Sequence, residues 1–374
     1  MACDDSVRGA AAVWLDMDDV ERAAAAALPP DVRDFIAGGS GRELSLAANR
    51  AAFDAVFVRP RILRDVSGSG AESTLLGRAV RMPVAIGPVA YHRLVRPEGE
   101  LATARAAKAA GVPFTLATLS SVPVEEVTAV GGLVWFQLYW LRDTGRTLDL
   151  VRRAEDAGCE AIVLTVDVPW MGRRLRDVRN GFALPDHVRA VHLGGGASTA
   201  HRGGDGTSAV AAHTAEAFSR SLTWSNVDRL RECTRLPIVL KGVLAPEDAR
   251  RAVEHGVDAV VVSNHGGRQL DGALTAVDAL PEVVEAIGGA CEILLDGGVR
   301  SGTDVLKALA LGASGVLVGR APVWGLAAGG EDGVRQVLEL LAAEVTDALG
   351  LAGCAGVAEA RELDAVVTRA ACSR

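Results

Sequence analysis

The sequence predicts a closed, parallel (β/α)8 barrel with a helical cap at its N-terminus and one long loop after the fourth strand. Eight short runs rich in β-branched residues recur along the chain, and segments with helical periodicity separate most of them. Polar residues repeatedly follow these runs at the same end. Eight β-then-α units favour a TIM barrel, and an open, doubly wound sheet is the alternative.

The eight predicted strands are short and are bounded mostly by glycine or proline. They are MPVAIGPVA from Met82, FTLATLS from Phe114, LVWFQLYW from Leu133, AIVLTVDV from Ala161, PIVLKGV from Pro237, AVVVSNHG from Ala259, EILLDGG from Glu292 and GVLVGR from Gly315. Helices are predicted at 97–111, 148–158, 246–256 and 301–312, because several of these segments begin near Pro or Ser and end on Gly.

The flanking segments predict the domain organisation. Residues 1–81 precede the first barrel strand and are expected to form a helical cap and a short hairpin. The barrel is expected over 82–350, with a C-terminal tail over 351–374. The connection 170–224 is rich in Gly, Ser, Thr and His in its middle, and a loop of that length is typical of a lid.

Composition excludes several classes of protein. The 374 residues are 49% hydrophobic, which is enough for a large core. A formal net charge of −8 without a Lys/Arg block argues against nucleic acid as a partner. The chain has no apolar stretch of about 18 residues, so no membrane span is expected. Its six cysteines lie far apart without a CxxC pair, and the N-terminus lacks the basic region of a secretory signal, so we expect a cytoplasmic protein without a metal site.

The strand ends predict a site for a polar ligand. Side chains two apart on a strand face the same way, and polar pairs recur at this spacing at the ends of four strands, while a lysine ends the fifth. These residues are Gln137 and Tyr139, Thr165 and Asp167, Ser263 and His265, Asp296 and Gly298, and Lys241. Buried polar groups need partners, which a shared ligand would supply. Glycine-rich loops with Arg300 and Arg320 follow the last two strands, where barrels often bind phosphate.

The segment SNHGGRQLDG, from Ser263 to Gly272, resembles the signature of the FMN-dependent 2-hydroxy acid oxidases and dehydrogenases. The resemblance extends over nearly the whole chain, through RPRILRDV, PVAIGPVA, RPEGE, FQLYW, TVDVPWMGRR, LKGV and DGGVRSGTDVLKALALGA. Within the family, PVAYHRL and WFQLYWLRD are most similar to the actinobacterial 4-hydroxymandelate oxidases. The resemblance implies a TIM barrel that binds FMN and assembles as a homotetramer. The similarity to the 4-hydroxymandelate oxidases also implies a role in antibiotic biosynthesis.

The resemblance also implies roles for individual residues. The residues expected to bind FMN are Pro88, Val89, Ala90, Gln137, Thr165, Lys241, Ser263, His265, Gly266, Arg268, Asp296, Gly298, Arg300, Gly319 and Arg320. Within this set, the family places Pro88, Val89 and Ala90 along the isoalloxazine and Asp296, Gly298, Arg300, Gly319 and Arg320 at the ribityl phosphate. His265 is implied as the base, and Arg174 and Arg268 are implied to bind the substrate carboxylate, with Tyr139 near the α-hydroxyl.

Physical chemistry supports these roles, and each has a plainer alternative. Imidazole changes charge near neutral pH, and Asp167 could fix the tautomer of His265, although a buried histidine can also be purely structural. Guanidinium groups bind carboxylates in bidentate fashion. Arg173 and Arg176 compete with Arg174 for that role, and any of them could simply be solvated. Lys241 would place a positive charge beside the reduced flavin, or could extend to solvent at the barrel rim.

Three positions indicate an aryl substrate and an oxidase. Phe35 stands where most of the family has a tyrosine that binds the carboxylate, and Leu119 stands where short-chain relatives carry tryptophan. Ala90 matches the residue seen in oxidases. A separate departure from the family is Ala117, which stands where a serine faces the flavin and so removes one bond to the cofactor. The expected substrates are therefore mandelate or 4-hydroxymandelate, oxidised to the 2-oxo acid, with O2 as the electron acceptor and H2O2 as its product. Oxidation of an aliphatic substrate such as lactate or glycolate, or a dehydrogenase of this kind, is the alternative.

Two other functions compete with this interpretation. A flavin-dependent isopentenyl diphosphate isomerase would share the phosphate-binding loops, but it would not need two carboxylate-binding arginines beside a histidine. A flavin-binding barrel without enzymatic activity would need neither His265 nor Asp167.

Overall fold

The computed structural model describes residues 13–194, 200 and 208–368 of the chain. The segment before the barrel contains three helices and three short strands. They are α1 (Met17–Ala27), α2 (Pro30–Ala37), α3 (Leu44–Asp54), β1 (Val56–Val58), β2 (Ser73–Leu75) and β3 (Arg78–Val80). The side chain of Asp16 accepts a hydrogen bond from Asp19 N and so caps α1, and proline occupies the first position of α2.

Eight parallel strands follow and close into a barrel, which confirms the predicted fold. They are β4 (Val84–Ile86), β5 (Phe114–Ala117), β6 (Val134–Leu138), β7 (Ala161–Thr165), β8 (Ile238–Val243), β9 (Ala259–Val262), β10 (Glu292–Asp296) and β11 (Gly315–Val318). They are hydrogen-bonded in chain order, and β11 pairs with β4 to complete the ring. All eight lie within the runs that the sequence predicts, since these are the β-branched segments of the chain.

The remaining elements surround the barrel or join its strands. They are α4 (Glu100–Ala110), α5 (Val124–Thr128), α6 (Thr144–Asp156), α7 (Leu175–Arg179), α8 (Ala209–Ala217), α9 (Trp224–Cys233), α10 (Pro246–Glu254), α11 (Ala276–Ile287), α12 (Gly302–Ala310), α13 (Arg320–Leu351), α14 (Val357–Ala360), β12 (Ala365–Val367) and 3-10 turns at His92–Leu94 and Val191–Leu193. Gly330, at φ 62°, kinks α13. No helix in the described ranges is long and apolar enough to cross a membrane.

The core has two parts. The larger part lies between the outer faces of the strands and the helices, and the smaller fills the inside of the barrel around Trp135 and Val261. Leu75 and Val80 of the β2–β3 hairpin belong to the inner cluster. The N–H of Leu76 donates to the Glu292 carboxylate at the start of β10, over 2.9 Å. The hairpin therefore closes the N-terminal end of the barrel, and the opposite end stays available for a ligand.

Two segments are more ordered than the sequence predicts. The connection 170–224, expected as a loop, carries α7, a 3-10 turn and α8, although most of its glycine-rich middle lies outside the described residues. The segment after 350, expected as a tail, forms α14 and β12 as far as it is described. Val367 of β12 pairs with Val56 of β1 in an antiparallel ladder, so the two ends of the chain are joined. Long-range pairing of this kind leaves little trace in local sequence.

Candidate active site

A cleft opens at the C-terminal ends of the barrel strands and encloses about 1160 Å³, including the part open to solvent. All the site residues that the sequence predicts line it, except Asp167 and Ser263. Those that do are Phe35, Pro88, Val89, Ala90, Gln137, Tyr139, Thr165, Arg174, Lys241, His265, Gly266, Arg268, Asp296, Gly298, Arg300, Gly319 and Arg320. The β-strands bring residues far apart in sequence to one rim because they are parallel and in register.

His265 and Asp167 form a contact behind the wall of this cleft. Nδ1 of His265 lies 3.0 Å from Oδ1 and 3.2 Å from Oδ2 of Asp167. Burial raises the pKa of Asp167, but His265 and then Lys241 outweigh burial and hold it below its ordinary value. The carboxylate is therefore ionised at neutral pH and fixes the imidazole through Nδ1, which leaves Nε2 as the nitrogen for a ligand.

The backbone conformation after β9 explains why two glycines follow His265. His265, Gly266 and Gly267 have φ values of 59°, 61° and 76°, so three consecutive residues are left-handed. A Cβ at Gly267 would lie 2.6 Å from the backbone of Leu46 in α3, and one at Gly266 would lie 3.0 Å from Nη1 of Arg320. Only glycine allows the close backbone contact at Gly267, and His265, at the start of this turn, lines the cleft.

Lys241 lies at the centre of the rim and is almost fully buried. Its ammonium is 2.6 Å from Oδ2 of Asp296 and 3.1 Å from Oγ of Ser263. A β-bulge at Gly242, where φ is 112°, follows it. A Cβ on Gly242 would lie 2.7 Å from Cβ of Asp167. The bulge therefore brings the backbone of β8 against the residue that holds the histidine.

Ser263 differs from its expected position. It is fully buried and does not line the cleft. Its hydroxyl accepts hydrogen bonds from Lys241 Nζ and, over 3.0 Å, from the backbone N–H of His265. Ser263, directly after β9, thus positions two site residues from behind the wall of the cleft.

Gln137 and Thr165 lie side by side in the cleft. Nε2 of Gln137 donates to Oγ1 of Thr165 over 3.0 Å, and Oε1 accepts from the N–H of Thr118 over 3.1 Å. These two hydrogen bonds fix the orientation of the Gln137 amide toward a ligand. The sequence alone does not reveal this orientation.

Four partly buried guanidinium groups face the cleft, and none forms an ion pair with a carboxylate among the described residues: Arg174, Arg268, Arg300 and Arg320. Burial lowers the pKa of Arg300 to about 10 and of Arg320 to about 9. Burial and repulsion from Arg174 and Arg320 hold the pKa of Arg268 well below its ordinary value. Buried cations without counter-ions are costly, so the cleft is built for anionic groups.

Two of the four arginines share the same backbone acceptors. Arg268 and Arg320 both donate to the carbonyls of Ile36 and Gly38, at the end of α2. Arg300, in contrast, stacks on Trp324 at 4.5 Å and donates to Val299 O. The N-terminal cap therefore orients two arginines that come from different barrel strands.

The rim residues fit FMN. Arg300 and Arg320 stand beside the glycine-rich turn of Gly297 and Gly298, where φ is 94° at both residues and a Cβ on Gly298 would lie 2.5 Å from Asn49 O. Oδ1 of Asp296 is buried and has no partner within the described ranges, as is suitable for a ribityl hydroxyl. A phosphate would neutralise the two arginines, and Lys241 would lie by the polar edge of the ring.

The other side of the cleft is apolar. The rings of Phe35 and Phe182 stack with centroids 4.5 Å apart, and those of Tyr139 and Phe218 stack at 4.3 Å. Leu119 lines the same cleft. Met171 and Val210 also line it, and both belong to the long connection after β7. Segments distant in sequence form this wall. The contributions of Met171 and Val210 were not predicted from the sequence.

Three further residues organise the site and were missed. Asn264 exchanges hydrogen bonds with Asn49 of α3, over 2.8 and 2.9 Å. Nε2 of Gln269 donates to the carbonyls of Asp167 and Trp170 over 2.6 and 2.8 Å, and so joins the turn after β9 to the segment after β7. Both lie inside SNHGGRQLDG, which was the available signal. Asp177 is buried near Arg174 and Arg268, and burial raises its pKa.

Comparison with known proteins agrees with this geometry. Residues 24–366 match the family described as FMN-dependent dehydrogenase. The chain is 62% identical to a 4-hydroxymandelate oxidase of Amycolatopsis orientalis, over 94% of this chain and 98% of that protein. It is 47% identical to an L-lactate oxidase of a Nostoc species, over 86% and 89% of the two chains.

The solved structures give the same result. A crystal structure of mandelate oxidase with (S)-4-hydroxymandelic acid superposes with a TM-score of 0.94 at 61% identity, over 96% of this chain and all of that one. With 343 of its residues inside the family match, at 24–366, the chain belongs to the FMN-dependent dehydrogenase family, that of the FMN-dependent 2-hydroxy acid oxidases.

Proposed function

We propose that the protein oxidises an aryl 2-hydroxy acid, mandelate or 4-hydroxymandelate, to the corresponding 2-oxo acid, and that O2 reoxidises FMN with formation of H2O2. The observation that carries the proposal is that His265, held by Asp167, opens into the same cleft as the unpaired Arg174 and Arg268. A hydroxy acid needs a proton acceptor at its hydroxyl and cations at its carboxylate. Oxidation of an aliphatic acid such as lactate or glycolate is the second candidate, supported by the similarity to the Nostoc enzyme.

In this proposal the chain binds and orients the substrate and moves one proton. Arg174 and Arg268 bind the carboxylate, Tyr139 contacts the α-hydroxyl, and Nε2 of His265 accepts the hydroxyl proton. Asp167 stabilises the imidazolium that results. FMN, when bound, takes up the two electrons that leave the α-carbon.

Lys241 and the cluster of arginines have separate tasks. The ammonium of Lys241 stabilises negative charge at the polar edge of the ring, where Asp296 and Ser263 keep it in place. Arg300 and Arg320 bind the phosphate, and Pro88, Val89 and Ala90 contact the isoalloxazine. Gln137 and Thr165 are proposed to contact its polar edge as a hydrogen-bonded pair.

The apolar wall supports an aryl side chain. Phe35 presents a ring, without a hydroxyl, next to the proposed carboxylate site, and the guanidinium of Arg268 lies 5.7 Å from its centroid. Leu119 leaves more room than tryptophan would. The most similar enzymes reported above are named for 4-hydroxymandelate and mandelate, which points to the same class of substrate.

A substrate panel tests the proposal. We expect mandelate or 4-hydroxymandelate to bleach the flavin of the holoenzyme under anaerobic conditions, with a kcat/KM at least tenfold above that of glycolate or lactate. Air-saturated buffer should then restore the flavin absorbance with one H2O2 formed per 2-oxo acid. Preference for glycolate would contradict the aryl assignment, and reoxidation no faster than that of free flavin would contradict O2 as the acceptor.

We further propose that the protein is a homotetramer in the cytoplasm, with a role in antibiotic biosynthesis that rests on the resemblance alone. Exposed apolar side chains support self-association: Ile62, Leu63 and Leu351 are 82%, 100% and 83% exposed. The four described cysteines are unpaired, as in a reducing compartment. Light scattering on the purified holoenzyme should give four times the mass of the 38.7 kDa chain. A monomer would contradict the proposed assembly.

A further inference from the structure

Tyr91 is a buried phenol in the cleft to which the preceding sections give no role. The chain has only two tyrosines, and both line the cleft. Tyr91 is 1% exposed, and its hydroxyl has no hydrogen-bond partner in the part of the chain that the structure describes. A buried hydroxyl without a partner is destabilising, and such groups are rare in proteins. Its position on the wall of a binding cleft points to a partner that arrives with a ligand.

The backbone holds Tyr91 in an unfavourable conformation. Its φ of 60° and ψ of 53° are left-handed, a region that an aromatic residue seldom occupies. Its N–H donates to the carbonyl of Leu119 over 3.1 Å, so it is tied to another residue of the cleft. Strained residues of this kind cluster at functional sites because the surrounding structure must enforce them.

A buried polar network next to Tyr91 enforces this conformation. The N–H of His92 donates to Oε1 of Glu100 over 3.1 Å, and Nδ1 of His92 lies 3.0 Å from Oγ1 of Thr103. Oε1 and Oε2 of Glu100 accept from the backbone and hydroxyl of Ser121, over 2.8 and 2.6 Å. All four partners are at most 2% exposed. The phenol is therefore presented to the cleft by a rigid support, which is how binding groups are preorganised.

The neighbours of the phenol indicate which part of a ligand it meets. Burial raises the pKa of Tyr91, Tyr139 raises it further, and Arg174 lowers it, so the hydroxyl lies within electrostatic range of both residues. Nε of Arg174 is itself buried, without a partner among the described residues. Phe35, on the same cleft, has no hydroxyl to offer. Two donors without partners thus belong to residues that line one cleft, and an anion would satisfy both.

We propose that Tyr91 is a substrate-binding residue that donates its phenolic hydrogen to the substrate carboxylate beside Arg174, and so supplies the neutral donor that Phe35 lacks. The identity of the ligand as a 2-hydroxy acid rests on the proposed function. Tyr91 binds the acid and takes no part in the proton transfer to His265.

Binding of an unreactive acid tests this directly. Phenylacetate has the carboxylate and the ring but no α-hydroxyl, so it can be titrated into the oxidised holoenzyme through the change in flavin absorbance. Y91F should weaken its binding about tenfold, which corresponds to about 1.4 kcal/mol, because a hydrogen bond to a charged group is lost. Binding of the uncharged phenylacetamide should change less than twofold. Unchanged binding of phenylacetate would overturn the proposal.

A para-hydroxyl contact is the competing role for this phenol. Y91F should weaken 4-hydroxyphenylacetate and phenylacetate by the same factor. A loss confined to 4-hydroxyphenylacetate would place the phenol at the far end of the ring and overturn the carboxylate assignment. The double variant F35Y/Y91F places a phenol at position 35 instead of position 91 and should recover most of the lost affinity for phenylacetate. No recovery would contradict the proposal that Tyr91 supplies the donor that Phe35 lacks.

Stability separates a binding role from a structural one. Because the hydroxyl has no partner among the described residues, Y91F should melt at the same temperature as the wild type or higher when no acid is present. A large loss of stability or failure to retain FMN would contradict the proposal. Failure of the proposed function can be told apart from failure of this inference. The function is tested by whether the wild type turns over 2-hydroxy acids. The role of Tyr91 is tested by the ratio of acid affinities between the wild type and Y91F.

Discussion

Nδ1 of His265 lies 3.0 Å from one carboxylate oxygen of Asp167 and 3.2 Å from the other, although the two residues are 98 positions apart in the chain. Their strands, β7 and β9, are not adjacent, because β8 lies between them. The contact is possible because Gly242 of β8 leaves room for the Asp167 side chain. One missing Cβ on the middle strand thus allows the carboxylate to reach the imidazole.

Asp167→Asn should slow anaerobic reduction of the flavin by about 10²–10³-fold, since the amide would no longer stabilise the imidazolium of His265. The Kd for phenylacetate should stay within threefold, because the arginines are untouched. Asp156→Asn, which changes an exposed residue of α6, is the matched control. Stopped-flow absorbance would measure both, and a rate within a factor of five of the wild type would rule out a role for Asp167 in the chemical step.

Gly242→Ala should impair both the fold and the reaction. The new Cβ would lie 2.7 Å from Asp167, at a φ of 112° that disfavours any side chain. Gly256→Ala has the same kind of positive φ, 66°, but meets no atom within 4 Å, so it should cost about 1 kcal/mol of stability and leave the reduction rate alone. Equal effects of the two changes on the rate of flavin reduction would show that the bulge does not position Asp167.

Arg300→Met should weaken FMN binding about 10- to 100-fold, because a charge-assisted hydrogen bond to the phosphate would be lost. The FMN-free protein should be no less stable than the wild type, since a partly buried cation that forms no ion pair among the described residues is removed and the contact with Trp324 can be kept. Arg335→Met, on the exposed face of α13, should leave FMN affinity unchanged. Fluorescence titration of the FMN-free protein gives the affinities. A wild-type affinity in Arg300→Met would exclude the phosphate contact.

Asp177→Asn should change how stability depends on pH. Burial raises the folded-state pKa of Asp177 above its unfolded value of about 3.9. The folded state therefore binds more protons than the unfolded one between these values, and this residue lowers stability as pH rises through that window. The stability of Asp177→Asn relative to the wild type should therefore increase as pH rises above about 4, and level off once pH exceeds the folded-state pKa. Denaturant unfolding at several pH values measures the difference, and a constant difference would contradict the raised pKa.

Leu119→Trp should shift specificity away from aryl acids. Leu119 lines the cleft and is 4% exposed, so an indole could be accommodated only by occupying ligand space. We expect kcat/KM for mandelate to fall at least tenfold, while that for glycolate holds or rises. Val124→Ile, in a buried position outside the cleft, controls for general overpacking. If mandelate and glycolate were affected to the same extent, Leu119 would not be part of the aryl pocket.

The sequence by itself determined the barrel and most of its rim. Eight runs of β-branched residues with helices between them have few other ways to bury their apolar faces, and parallel strands must end at one rim. Once this is known, His265, Lys241, Asp296 and Arg320 have to lie close together, whatever the details of the loops. The paired glycines after β9 indicate the turn found there, because few other residues tolerate a positive φ.

Only the tertiary structure decided which side chains within that rim are partners. Local sequence does not reveal that Ser263 lies behind the wall, that Arg268 and Arg320 share the carbonyls at the end of α2, or that Tyr91 has an unsatisfied hydroxyl in the cleft. Nor does it reveal that β12 pairs with β1. The physical reason is the same in each case. Periodicity reports which face of an element is buried, whereas hydrogen-bond partners depend on distances of a few tenths of an ångström between segments that meet only in the folded chain.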